Sequence, residues 1–158
     1  MITLSDYWMG RDATHGAELT DKVAANATLL LGRVNLLMAW AYRDGVQPAI
    51  DADTGTHVAS GWRPAAVNAA VPHAAPNSRH MTGEAIDLRD TPARALAIWC
   101  LANEDALDEI GLWMERPQWT PTWVHLQNVA PGSNRRYFIP STSRPLVAAL
   151  PGELEAVA

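Results

Sequence analysis

Two histidines and one aspartate in this chain have the types and spacing of metal ligands. His80 and Asp87 lie seven positions apart in the segment SRHMTGEAID, and His125 lies in the later segment WVHLQ. Gly83 and the apolar alternation around Asp87 predict a turn that leads into a strand, with the site at the start of that strand. Two imidazoles and one carboxylate match the three protein ligands of a catalytic zinc ion. By spacing alone, each histidine could instead be a structural side chain with satisfied hydrogen bonds.

The hydrophobic pattern predicts the helices that must position these residues. Apolar residues recur at three- and four-residue spacing over about residues 20–42, which indicates a long core helix capped by Thr20 or Asp21. A small helix over residues 65–71 and a second long helix over about 91–110 are each expected to begin at a proline. The inward face of the first long helix is predicted to carry Val23, Ala27, Leu30, Leu31, Val34, Leu37, Met38 and Ala41.

Shorter apolar segments predict the strands of a small sheet. Residues 57–63 are typical of a strand followed by a tight turn, so Arg63 should lie at a strand-to-helix corner where a ligand could bind. Residues 112–115 and 122–127 predict two strands joined by a loop. If these strands pair as a hairpin, Glu115 lies close to His125.

Length and composition indicate a single globular domain. The chain has 158 residues, of which 48% are hydrophobic and 18% charged, a balance that excludes a disordered protein. We expect an α+β fold in which a small, mostly antiparallel sheet carries the metal site and packs against two main helices. The core should span about residues 16–140, and residues 141–158 should form a C-terminal tail.

Net charge and targeting signals limit the classes of partner and the cellular location that the sequence predicts. A net charge of -5 and the lack of a Lys/Arg cluster argue against nucleic acid, which requires a basic face. The N-terminus lacks the basic start and apolar core of a secretory signal, and no apolar run is expected to span a membrane. We therefore expect a monomer made in the cytoplasm, with no membrane insertion.

A longer pattern of residues surrounds these candidate ligands. The pattern S-x-H-x-x-G-x-A-x-D covers residues 78–87; it is preceded by SGWR at 60–63 and VNAAV at 67–71, and followed by WVH at 123–125. This combination closely resembles the zinc D-Ala-D-Ala carboxypeptidase family of metallopeptidases, which includes phage peptidoglycan endopeptidases. The resemblance spans roughly residues 57–127.

The resemblance implies roles for individual residues. Zinc would be held by His80, Asp87 and His125, and Ser78 would support the ligand loop and the bound substrate through hydrogen bonds. Arg63 matches the family arginine that holds the substrate near the scissile carbonyl and could stabilise an oxyanion. The alternative for this arginine is a structural ion pair with Asp51, Asp53 or Asp90.

The chain departs from the family pattern at the general base. Many members carry a carboxylate three residues before the last histidine ligand, where this chain has Thr122. Glu115 is our candidate for the base, because the predicted hairpin brings it beside the metal; the alternative is an ordinary solvent-facing glutamate. Gln127 could orient water or substrate but cannot act as a base.

Aromatic residues are concentrated around the ligand-bearing segments. Trp62, Trp113, Trp119 and Trp123 could line a substrate cleft, with Trp123 in contact with the substrate, or could fill the core under the sheet. His73 could assist substrate binding or lie on the surface.

The expected function is zinc-dependent hydrolysis of a peptide bond in the stem peptides of bacterial peptidoglycan. Both a D,D-carboxypeptidase and an endolysin-type endopeptidase fit the sequence. The lack of a signal peptide or wall-binding module favours a phage lysis enzyme that reaches the cell wall through a separate pore. The alternative is a non-catalytic peptidoglycan-binding or phage structural protein that retains the fold, an alternative raised by Thr122.

Overall fold

The computed structural model describes residues 1–72 and 74–140, so His73 and the predicted tail 141–158 lie outside the described residues. The described residues form six α-helices: α1 Leu4–Trp8, α2 Arg11–Thr14, α3 Asp21–Arg43, α4 Ala65–Ala70, α5 Ala95–Ala102 and α6 Glu104–Ile110. Short 3-10 helices lie at Gly16–Glu18 and Pro117–Trp119.

The long helix α3 confirms the prediction from hydrophobic spacing. Its N-cap is Thr20, whose hydroxyl accepts a hydrogen bond from the Val23 amide at 3.3 Å. Asp21 in the first turn and Arg43 in the last turn complement the helix dipole. The predicted inward residues are buried with the exception of Val23, which is partly exposed: Ala27, Leu30, Leu31, Val34, Leu37, Met38 and Ala41.

α3 is also long and apolar enough to cross a membrane, by length and composition alone. Sequence analysis predicts no segment of that kind, so α3 departs from this expectation. Its inward face is buried in the protein core, as in the core helix of a globular domain. That the chain does not insert in a membrane stays a prediction.

The prediction of a second long helix is wrong, because the helix is interrupted at Asn103, which separates α5 from α6. The Asn103 backbone leaves helical geometry, with φ of -129° and ψ of 53°, and its side chain donates to the Trp99 carbonyl at 2.8 Å. Asparagine competes with helical hydrogen bonds in this way. α5 also begins later than predicted. The Asp90 carboxylate accepts hydrogen bonds from the amides of Leu96 and Ala97, both at 3.0 Å, and so caps the helix at this later position.

Within the described residues, five strands form one mixed sheet, in the order β1-β2-β4-β3-β5. Their bounds are β1 Val58–Ser60, β2 Ala85–Arg89, β3 Trp113–Glu115, β4 Trp123–Gln127 and β5 Tyr137–Phe138. The predicted hairpin of β3 and β4 is confirmed, and β5 alone pairs in parallel, with β3. The mostly antiparallel α+β prediction is therefore correct, although β5 is missing from it because two residues carry no strand pattern.

Alternation along the central strands separates a core face from a polar face. Ile86 and Leu88 of β2 and Val124 and Leu126 of β4 are buried in the hydrophobic core. Asp87 and His125 alternate with these buried residues along the two strands. The side chains of Asp87 and His125 therefore lie on the opposite face of the sheet.

The N-terminal segment belongs to the core and crosses the chain just after β1. Ile2, Tyr7 and Trp8 are buried in the core cluster, although they precede the expected core start at about residue 16. The Trp62 amide donates to the Tyr7 carbonyl at 3.1 Å. A Cβ at Gly61 would overlap with that same carbonyl oxygen, so glycine is required at this crossing.

Gly61→Ala is therefore expected to lower the free energy of unfolding by about 1–3 kcal/mol or more, since rigid backbone must move to admit the new methyl group. Urea unfolding measures the change. Gly32→Ala is the matched control, because no atom outside the helix lies within 4 Å of the added Cβ at this exposed α3 position. It should stabilise by about 0.5–1 kcal/mol; equal stability of Gly61→Ala and wild type would contradict the close crossing.

Candidate metal centre

One row of side chains crosses all five strands on the polar face of the sheet. Asp87 of β2 pairs directly with His125 of β4, and Ser60 of β1 pairs with Asp87 after a register shift in β1. Glu115 of β3 pairs with Phe138 of β5. The antiparallel register of β3 and β4 brings Glu115 alongside His125. Asp87 thus lies in the middle of its strand, not at the start as predicted.

His80 reaches this row from the turn that precedes β2. Its Nδ1 is 2.8 Å from the carbonyl oxygen of Gly61, and its backbone carbonyl accepts from the Arg63 amide at 3.1 Å. Because a carbonyl can only accept, Nδ1 carries the proton and Nε2 keeps its lone pair. The contact fixes both the tautomer and the orientation of the ring, as is common for metal-binding histidines.

Gly83 allows this turn to pack against α3. Its φ of +77° favours glycine, and an added Cβ would lie 2.6 Å from the Val23 carbonyl oxygen. The Asn26 side chain, also on α3, donates to the Thr82 carbonyl at 2.8 Å. Both expectations for Gly83, a backbone turn and a close approach, are therefore confirmed.

The three predicted ligands converge on one point. His80 Nε2 lies 3.3 Å from both Asp87 Oδ1 and His125 Nδ1, and His125 Nδ1 lies 2.7 Å from Asp87 Oδ1. All three ligand atoms lie within 4.8 Å of one another. His80 and Asp87 are buried and His125 is partly buried. This triad could hold a metal ion.

The electrostatics of the triad suit a cation. Burial lowers the pKa of His80 against the opposing effect of Asp87, which favours the neutral imidazole that a metal ligand must be. Burial alone would raise the pKa of Asp87, but His80 and His125 offset that effect and hold the pKa well below its usual range. Burial would lower the pKa of His125, but the hydrogen bond to Asp87 opposes this effect and leaves the pKa raised.

Arg63 binds the second oxygen of the aspartate ligand. Its Nη2 lies 2.5 Å from Asp87 Oδ2, and its Nε donates to Ser60 Oγ at 2.8 Å. The alternative of an ion pair with another aspartate is wrong. Asp51 pairs with Arg89, and the Asp90 carboxylate caps α5.

Glu115 lies beside the triad, as the predicted hairpin requires. Burial raises the pKa of this carboxyl, while the charge on His125 acts to lower it and that on Asp87 to raise it further. Thr122 lies one residue before β4, and its carbonyl accepts from the Asp90 amide at 3.1 Å. The second carboxylate that acts on His125, besides Asp87, is therefore Glu115 of β3, and the position three residues before the histidine carries a threonine.

The remaining predicted site residues are less central. Ser78 supports the ligand turn, since its Oγ accepts from the His80 amide at 3.4 Å and its carbonyl accepts from Met81 at 3.0 Å. Gln127 is buried and donates to the Val129 carbonyl at 2.5 Å, and Trp123 is partly buried opposite Arg89.

The tryptophans divide between the core and the surface of the sheet. Trp62 is fully buried, packs edge-on against Trp8 and donates to the Met81 carbonyl at 3.2 Å. Trp113 lies under the guanidinium of Arg136, whose carbon is 4.5 Å from the ring centroid. Trp62 therefore fills the core and does not line a cleft.

Contacts from the N-terminal segment, which the sequence did not predict, hold the corner between β1 and α4. Four groups of the N-terminal segment bind this corner: the Tyr7 carbonyl binds the Trp62 amide, Met9 Sδ the Gly61 amide, Arg11 Nη1 the Trp62 carbonyl and Glu18 Oε2 the Ala65 amide. No local pattern in the sequence links segments about fifty residues apart. The corner supplies both Arg63 and the carbonyl that orients His80.

Comparison of the chain with protein-family models, with curated proteins and with solved structures finds no match. The resemblance to zinc peptidases therefore stays a prediction that rests on the motif residues.

Adding Zn²⁺ as a probe ion to metal-free protein should raise the unfolding midpoint, because the ion binds the folded triad. At a concentration 100 times Kd the gain is about 2.7 kcal/mol, or about 5–10 °C for a chain of this size. His80→Ala should abolish the zinc-induced shift, and His15→Ala, outside the triad, should keep it. An equal shift in wild type and His80→Ala would place the ion elsewhere.

Zinc affinity should rise with pH. His125 must lose its proton to bind the ion, and its raised pKa means that the proton is held to higher pH than on an ordinary histidine. Affinity should increase about tenfold per pH unit below that pKa and level off above it. Isothermal titration across the histidine range measures the slope; a flat profile would exclude His125 as a titrating ligand.

Proposed function

We propose that this protein is a zinc-dependent peptidase that cleaves a peptide bond in the stem peptides of bacterial peptidoglycan. The observation that carries the proposal is the buried His80, Asp87 and His125 triad with Glu115 beside it. A second carboxylate next to a potential metal triad is the arrangement that metal-assisted hydrolysis needs.

The spacing of the triad supports zinc as the ion. In a tetrahedral site with zinc–ligand distances of about 2.0–2.1 Å, ligand atoms lie about 3.3–3.4 Å apart. Two of the three separations between the ligand atoms are 3.3 Å, and the third, 2.7 Å, is a hydrogen bond that an ion would replace. Neutral imidazole and carboxylate donors also suit zinc.

Zinc bound to this triad would polarise a carbonyl group and lower the pKa of a water molecule in its open position to about 7. The triad also has the support such a site requires. The Gly61 carbonyl orients His80, and Arg63 holds Asp87.

Glu115 is suited to move the proton. Burial raises its pKa above the ordinary glutamate value, which improves a carboxylate as a general base. In hydrolysis Glu115 accepts a proton from the attacking water and returns it to the nitrogen of the leaving amine, as the carbon–nitrogen bond breaks. Its place on β3 compensates for the threonine at position 122.

Arg63 is suited to stabilise negative charge on the substrate. Its Nη2 and Nε are engaged by Asp87 and Ser60, which fixes the plane of the guanidinium. The remaining Nη1 group can then donate to an oxygen of the substrate. Ser78, Gln127 and Trp123 would surround the bound peptide.

The substrate class is supported by the motif resemblance. Stem peptides contain D-residues, so the cleft should accept D-alanine or a neighbouring residue. The same resemblance, which includes phage peptidoglycan endopeptidases, supports a phage lysis enzyme that is made in the cytoplasm as a monomer and released to the cell wall.

Glu115→Gln should lower the turnover of peptidoglycan by about 10²–10⁴-fold, since the amide cannot accept the proton. Purified protein is incubated with zinc and peptidoglycan, and released fragments are identified by mass spectrometry. Zinc content must be unchanged in the variant, because Glu115 is not a ligand. Glu109→Gln, at an exposed position of α6, is the matched control and should keep full turnover.

Two results would redirect the proposal. Full turnover by zinc-loaded Glu115→Gln would assign the proton transfer to another group. Wild-type protein that releases no new termini with any metal would exclude the peptidase and favour a non-catalytic peptidoglycan-binding protein.

A further inference from the structure

The two histidines of the triad are oriented by different kinds of contact. His80 donates from Nδ1 to the Gly61 carbonyl at 2.8 Å, through the nitrogen that does not face the triad. The hydrogen bonds of His125 within residues 1–72 and 74–140 both use Nδ1, and their partners are Asp87 Oδ1 and His80 Nε2. No group in these ranges is hydrogen-bonded to Nε2 of His125.

A metal ion on the triad would replace the hydrogen bonds of His125. Its Nδ1 lies 2.7 Å from Asp87 Oδ1 and 3.3 Å from His80 Nε2, and these three atoms are the candidate ligand atoms. Metal-binding histidines usually keep their orientation by donating the other ring N–H to a carboxylate or carbonyl oxygen. Because the described part of the chain provides His125 with no such bond, packing against its ring must set its orientation.

Phe138 provides a packing contact of this kind. The ring centroids of Phe138 and His125 are 6.0 Å apart and the ring planes are inclined at 81°, which is an edge-to-face arrangement. Aromatic rings favour this geometry, because the positive edge of one ring meets the negative face of the other. The His80 ring also contacts His125, with centroids 5.1 Å apart. Two rings therefore restrict the rotation of the His125 imidazole.

The sheet brings Phe138 to this position from a strand that does not pair with β4. β3 lies between β5 and β4, so the backbones of Phe138 and His125 are about 10 Å apart, twice the spacing of paired strands. Since the ring centroids are only 6.0 Å apart, the two side chains lean toward each other across Glu115 of β3. Phe138 is partly buried on the polar face, and Tyr137, which precedes it, lies in the core.

We propose that Phe138 is a positioning residue, whose ring holds the His125 imidazole in the orientation that directs Nδ1 into the triad and so raises the affinity of the site for its metal ion. This inference rests on the metal site of the proposed function and not on the identity of the substrate. Phe138 also lies outside residues 57–127, which carry the resemblance to zinc peptidases.

Phe138→Ala should raise the dissociation constant for Zn²⁺ about tenfold, as measured by competition with a chromophoric chelator. A tenfold loss corresponds to about 1.4 kcal/mol, which an aromatic pair can supply. Phe138→Tyr keeps the ring and should bind zinc as tightly as wild type does. Phe138→Leu keeps apolar volume in β5 without a ring, and it should also bind zinc more weakly than wild type.

Tyr137→Phe is the matched control in the same strand. Its hydroxyl donates to the Cys100 carbonyl at 2.9 Å in the core, away from the triad. The variant should lower the midpoint of urea unfolding and leave zinc affinity unchanged. Co²⁺ gives a second readout, because its visible absorption depends on the geometry of its ligands. Phe138→Ala should change the position and intensity of the cobalt bands, and Tyr137→Phe should leave them unchanged.

The outcomes separate this inference from the proposed function. Wild-type zinc affinity or an unchanged cobalt spectrum in Phe138→Ala would overturn the role of Phe138 and leave the proposed peptidase intact. Equal losses of zinc affinity in Phe138→Ala and Tyr137→Phe would also overturn it, because the stability of β5 would then account for both. Wild-type protein that binds no zinc would overturn the metal site, and with it the proposed function and this inference together.

Discussion

The antiparallel register of β2 and β4 is the constraint on which the site depends. It places Asp87 directly opposite His125, and their side chains meet at 2.7 Å on the polar face of the sheet. A shift of one residue would turn either side chain into the hydrophobic core. The buried residues on either side of Asp87, Ile86 and Leu88, oppose such a shift. The packing of the core therefore fixes the geometry of the candidate metal centre.

The corner after β1 connects this sheet to the rest of the site. Gly61 orients His80 through its carbonyl, and Arg63 holds the free oxygen of Asp87. The same corner is crossed by the N-terminal segment, which approaches so closely at Tyr7 that only glycine fits. The first residues of the chain, far from the motif in sequence, thus act on the orientation of a ligand and of the arginine beside it.

The arrangement of charged groups determines which chemistry the site could support. A buried carboxylate lies between two imidazoles and an arginine, and a second carboxylate with a raised pKa lies alongside. Such a cluster is costly to bury unless a cation or substrate completes it. The proposed hydrolysis would use both features: the triad suits an ion, and Glu115 suits a proton acceptor.

Local signals in the sequence predict the candidate ligands, the long helix α3 and the hairpin of β3 and β4. These signals are a histidine and an aspartate around a glycine turn, apolar residues at helical spacing, and two apolar strands separated by a short loop. The sequence also placed Glu115 near the last histidine, since hairpin pairing is set by neighbours in sequence. Four features are visible only in the folded chain: the partner of Arg63, the break at Asn103, the fifth strand and the role of the N-terminal segment. Those features depend on contacts between distant segments or on one side chain competing with the backbone, and no spacing along the chain records which distant groups will meet.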